Sequence, residues 1–135
     1  MERKILFRGK QIHALPENKH LNGRWIEGYL ADKNYIHSPE LKGVYLVDLE
    51  TVCQYTGTPD KNRRKIFEGD IVRRKLFEEY IIGEVVWQGI GVCGFYLKYG
   101  NKYYPIGKDE YVEMSSCDEV IGNIFDNPEL LKGTR

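Results

Sequence analysis

A chain of 135 residues, 41% hydrophobic and 30% charged, has room for one globular domain or two very small ones. Its twenty basic and twenty acidic residues cancel, so no overall field draws it to nucleic acid or to a membrane surface. No apolar run is long enough to span a bilayer, and the charged opening MERKILFRGK lacks the apolar core of a signal peptide.

Ten tyrosines, five phenylalanines and fourteen glycines, with alanine only at Ala14 and Ala31, predict strands and turns rather than helices. In chain order, Lys4 to Arg8 and Arg24 to Leu30 read as strands, separated by a polar loop from Gln11 to Asn22. A loop from His37 to Gly43 follows, then a strand from Val44 to Leu49 that could continue to Tyr55. The stretch from Gln54 to Arg74, QYTGTPDKNRRKIFEGDIVRR, reads as a surface loop rich in turn residues that feeds a strand. From Asp70 a meander is predicted: Asp70 to Phe77, Glu79 to Gln88, Val92 to Tyr99 and Lys102 to Ile106. A last strand spans Glu119 to Phe125. Asn127-Pro128-Glu129 then starts a short helix, with Asn127 as its cap.

The zero net charge hides two opposed blocks. Lys61, Arg63, Arg64, Lys65, Arg73, Arg74 and Lys75 stand against only Glu68 and Asp70. Between Asp109 and Glu129 lie seven acids, among them Asp109, Glu110, Glu113, Asp118 and Glu119, with no Lys or Arg. The blocks can face each other within one molecule, or pair between copies in a homo-oligomer, or leave the basic segment to bind phosphates.

Chemistry-bearing patterns are few. Cys53, Cys93 and Cys117 lack zinc-ligand spacing, are odd in number and suit a reducing compartment. His13, His20 and His37 form no i,i+4 pair. Ser115-Ser116 lacks the flanking glycines of a nucleophile elbow. On an extended segment Asp109 and Glu113 share a face, which allows a metal-dependent hydrolase as a remote alternative. No metal, cofactor or catalytic residue is assigned. Alternation sends Phe95, Leu97 and Tyr99 inward and Tyr96 and Lys98 outward, with most of these aromatics filling core or edge.

Two strings resemble the signatures of the YopX family. These are Gln54 to Val72 and EVIGNIFDNPELL, Glu119 to Leu131. The matching positions are Tyr55, Gly57, Asp60, Lys61, Phe67, Glu68, Gly69, Asp70, Gly122, Asn123 and Pro128, and KILFRG with the Gly23 to Gly28 segment is similar to the family's beginning. The family usually has Asn-Gly where this chain has Asn62-Arg63. Arginine resists positive φ, so a different turn is expected, or Asn62 alone in the left-handed region. The resemblance implies a mainly β protein of a bacteriophage or prophage, acting in the bacterial cytoplasm, and carries over no catalytic residue.

The expectation is an all-β fold. Residues 1 to 135 are expected to form a single domain, with a subdivision allowed between an N-terminal β portion over 1 to 53 and a small SH3-like barrel from 54 to 135 that ends in a short helix. The expected function is non-enzymatic: a binding or self-associating module that forms a homo-oligomer, with a phage or host protein as a further partner and no membrane. A nucleic-acid-binding barrel using residues 61 to 75 is the alternative.

Overall fold

The computed structural model describes residues 5–12, 22–76, 78–89, 91–106 and 117–132. The chain is all-β and divides into two compact units, Met1–Tyr55 and Thr56–Arg135.

The first unit contains β1 (Phe7–Lys10), β2 (Trp25–Asp32), β3 (Tyr35–Ser38), β4 (Gly43–Leu46) and the start of β5 (Cys53–Pro59). They form an antiparallel sheet in the order β4-β3-β2-β1-β5. Ile26, Ile36 and Val47 are its buried centre, with Phe7, Tyr45 and Val52 packed around them. The expected loop from His37 begins inside β3. Here Ile36 and Ser38 alternate inward, and Ser38 is buried because its hydroxyl accepts from the Leu41 amide at 3.1 Å. A polar serine at an inward position hid the strand's period.

The second unit holds the end of β5, β6 (Lys65–Phe67), β7 (Asp70–Leu76), β8 (Glu79–Gln88), β9 (Gly94–Tyr99), β10 (Lys102–Pro105) and β11 (Asp118–Asn123). Its sheet is antiparallel in the order β10-β9-β8-β7-β11. Alternate residues of each strand face one side, where Val72, Ile81, Val85, Leu97 and Val120 pack with Ile66 as the core.

Three expectations are corrected. The stretch from Gln54 is not loop at its start, because Cys53 and Tyr55 alternate inward on β5 and Phe7 pairs with Gln54. The barrel is not closed. β10 is one edge of the sheet, and the free edge of β11 is already used: the Lys61 amide donates to the Asp118 carbonyl and the Val120 amide to the Asp60 carboxylate. An edge bonded in this way cannot join β10 to complete a cylinder. The closing helix is a single 3-10 turn, Pro128–Leu131, and the Asn127 side chain does not cap it. Asn127 Oδ1 accepts from the Asn123 amide instead, and lies 2.6 Å from where a Cβ on Gly122 would sit.

The β5–β6 turn differs in detail from the sequence reading. Arg63 itself is left-handed, with φ 66°. Asp60 makes this tolerable. Its Oδ1 accepts from the amides of Asn62 and Arg64, each at 2.8 Å, fixing the loop around one buried carboxylate. The left-handed region still costs a non-glycine residue roughly 1–2 kcal/mol. Arg63→Gly should therefore raise stability by about 0.5–1 kcal/mol after its added unfolded-state freedom is counted. Urea denaturation checks this, and a loss of stability would show that the Arg63 side chain contributes more than its backbone costs.

Candidate functional site

The basic segment divides into three parts. Lys61, Arg63, Arg64 and Lys65 are exposed on the β5–β6 turn and its end, along the free edge of β11. Arg64 Nη1 reaches the Val120 carbonyl at 3.5 Å. Arg73 and Lys75 are exposed on β7. Arg74, between them, is only 1% exposed. The alternation that turns Val72 into the core turns Arg74 inward as well.

Arg74 meets Asp118, itself fully buried. Arg74 Nε donates to Asp118 Oδ1 at 2.5 Å and Nη2 to Oδ2 at 2.9 Å, a bidentate pair directly across the β7–β11 ladder. Nη2 also donates to the Pro105 carbonyl at 3.0 Å, while Nη1 is buried with no hydrogen-bond partner among the described residues. One register step away, Arg73 pairs with Glu119 on the outer face. Two members of the basic block are thus matched to two of the acidic block within one molecule. Asp109, Glu110 and Glu113 lie outside the described residues.

The carboxylates buried in this unit are committed to the fold. Asp60 holds three amides, those of Asn62, Arg64 and Val120. Asp70 Oδ2 accepts from the Phe67 amide at 2.8 Å and closes the turn whose Gly69 has φ 86°. Gly69 joins three segments: its amide donates to the Val85 carbonyl, and its carbonyl accepts from Ile124. Asn123 Oδ1 gathers the amides of Phe125 and Asp126. Among the described residues, no three His, Cys, Asp or Glu side chains form a group fit for a metal ion.

The outer face of the second unit's sheet is different. Register puts Lys75 opposite Tyr80, Arg73 opposite Ile82, Ile71 opposite Glu84, Glu84 opposite Lys98, and Lys98 opposite Tyr103, all on the side away from the Val72 cluster, where Ile71 is nonetheless fully buried. Tyr80 is 60% exposed and Tyr103 42%. The Arg73 guanidinium lies 5.3 Å from the Tyr80 ring centre. Tyr96 and Tyr103 meet edge to face at 6.5 Å. Leu97 is fully buried on the opposite side. The inward reading holds for Phe95 and Tyr99, which pack on the core, whereas the sequence reading did not single out Tyr80. The signal was present in EYIIGEVVWQ, where the inward set Ile81, Gly83 and Val85 leaves Tyr80 outward.

Glu84 lies near the middle of this face. Burial holds its carboxyl above the usual glutamate range, Lys98 opposes the shift and Glu68 adds to it. A raised folded-state pKa means the native protein binds this proton more tightly than the unfolded chain. The stability it contributes is present at low pH and is lost as pH rises from the ordinary glutamate value through the raised one. Glu84→Gln should therefore raise the melting temperature at pH 7, with the gain shrinking towards pH 4. Melts of both proteins across this range check it, and a gain that grows on acidification contradicts the assignment.

A family model described as YopX protein matches residues 8–132, nearly the whole chain. No curated protein matches it.

Proposed function

The chain belongs to the YopX family, and we propose that it works as a non-catalytic binding protein through the outer face of the second unit's sheet. The observation that carries this reading is the contrast between the two sets of polar residues. Asp60, Asp70, Asp118 and Asn123 are engaged with backbone amides or with Arg74, whereas Tyr80, Tyr103, Lys75 and Lys98 stand exposed on one face. Catalytic carboxylates need a free lone pair and access to substrate. Those at Asp60, Asp70 and Asp118 are buried in structural bonds.

In this reading the protein is an accessory factor of a bacteriophage or prophage and acts in the cytoplasm of the bacterial host. Cys53, Cys93 and Cys117, odd in number and far apart in sequence, suit a reducing compartment. Among the described residues no helix is long and apolar enough to cross a membrane. The opposed charge blocks also suit self-association. Arg73 and Arg74 already meet Glu119 and Asp118 within the chain, so a different partner is the better-supported reading.

Photo-crosslinking in bacterial cells tests it. A photoreactive residue at position 80 or 103 should give a discrete adduct, and one at position 29, in the first unit, should not. No adduct from either outer-face position, with strong adducts from position 29, would overturn the proposal.

A further inference from the structure

The outer face repeats one arrangement. Lys75 lies directly opposite Tyr80 on neighbouring strands, and Lys98 lies directly opposite Tyr103. All four side chains are exposed and share one face. Each tyrosine has a second neighbour that fixes its ring: the Arg73 guanidinium at 5.3 Å beside Tyr80, and Tyr96 edge-on beside Tyr103. Tyr96 is itself tethered, its hydroxyl donating to the Val92 carbonyl at 2.6 Å. From Tyr80 to Tyr103 is two strands across and four residues along, about 16 Å at ordinary sheet spacing and rise.

We propose that this face binds single-stranded nucleic acid, with bases stacked on Tyr80 and Tyr103 and phosphates paired to Lys75 and Lys98. It deepens the reading of the protein as a binding protein and rests on it. A protein-binding patch is depleted in lysine at its centre, whereas here each aromatic has a lysine directly across the ladder. A base offers a flat π-face to a tyrosine and, across its sugar, a phosphate to a lysine, which is the alternation this surface presents. A duplex stacks its bases on one another and hides the faces that exposed tyrosines would take, whereas a single strand offers them. Of the cations here, Lys75 faces Tyr80 rather than an acid, while Arg73 is paired with Glu119 and Lys98 lies across from half-buried Glu84. The inference also relocates the basic contribution. Arg74 is withdrawn into the core, so the cations on this face are Lys75, Lys98 and the shared Arg73.

The test uses the full chain and labelled twelve-nucleotide oligomers of deoxythymidine and of uridine, with a duplex of equal length, read by fluorescence anisotropy. A single strand should bind at least about tenfold tighter than the duplex. The log–log salt slope should be about −1.4, as two phosphate contacts on a single strand give. Tyr80→Ala and Tyr103→Ala should each weaken binding at least about fivefold, the loss of one stacked base. Tyr29→Ala should leave it unchanged, and circular dichroism should show all three variants folded. No binding of either single strand at low salt, equal binding of the duplex, or binding indifferent to both substitutions overturns the inference. Nuclease treatment of the adducts from positions 80 and 103 separates the two levels. Adducts that survive nuclease as protein–protein species keep the binding protein and remove its nucleic-acid partner.

Discussion

The buried ion pair between Arg74 and Asp118 is the constraint on which the second unit depends. β11 is the last strand of the chain and pairs with a strand more than forty positions earlier, so its register needs a specific anchor. Apolar contacts alone supply that weakly, because Val120 is the only residue of β11 in the buried apolar core. Arg74 and Asp118 sit opposite each other in that ladder and form two hydrogen bonds in fork geometry. A slip by one residue would send Asp118 to the outer face and leave a buried guanidinium without its counter-charge, which costs several kcal/mol. Correct register on one side then sets the other. With β11 in place, its free edge meets Lys61 and Asp60, and the β5–β6 turn is held against it.

The same logic explains the positions shared with the YopX signatures. Asp60 ties a turn to β11, Asp70 closes the next turn, Gly69 links β8 to the turn after β11, and Gly122 makes room for Asn127. These residues cluster in turns because turns decide which strands become neighbours, a choice that alternation within a strand does not make. Their chemistry is that of structure, and the outer face they leave exposed is free to carry binding.

Much of the fold was legible because its strands alternate strictly. β8 shows the period over ten residues, and its limits, Glu79 to Gln88, follow from it. β3 was not legible, since Ser38 occupies an inward position and finds its partner in the Leu41 amide, which no local pattern announces. The open sheet was equally hidden, for closure depends on what each edge bonds, and the partner of β11 is a turn far away in sequence. Arg73-Arg74-Lys75 looked like one basic patch because charge was read along the chain. Read with period two from Val72, it separates into an inward Arg74 and two outward cations. Arg63 broke the expectation that arginine avoids positive φ because Asp60 holds the backbone on both sides of it. On the candidate face, Lys75, Arg73 and Lys98 were visible as charges, but their pairing with Tyr80 and Tyr103 is a matter of register.

The most direct measurement is a double-mutant cycle on the buried pair, read by urea denaturation of the chain, Arg74→Met, Asp118→Leu and both together. The account predicts that each single change costs about 3–5 kcal/mol by stranding a buried charge, and that the double variant recovers much of that loss because neither charge remains. Single losses below about 1 kcal/mol that simply add would contradict it, and would return Arg74 to the surface charge it resembles in sequence.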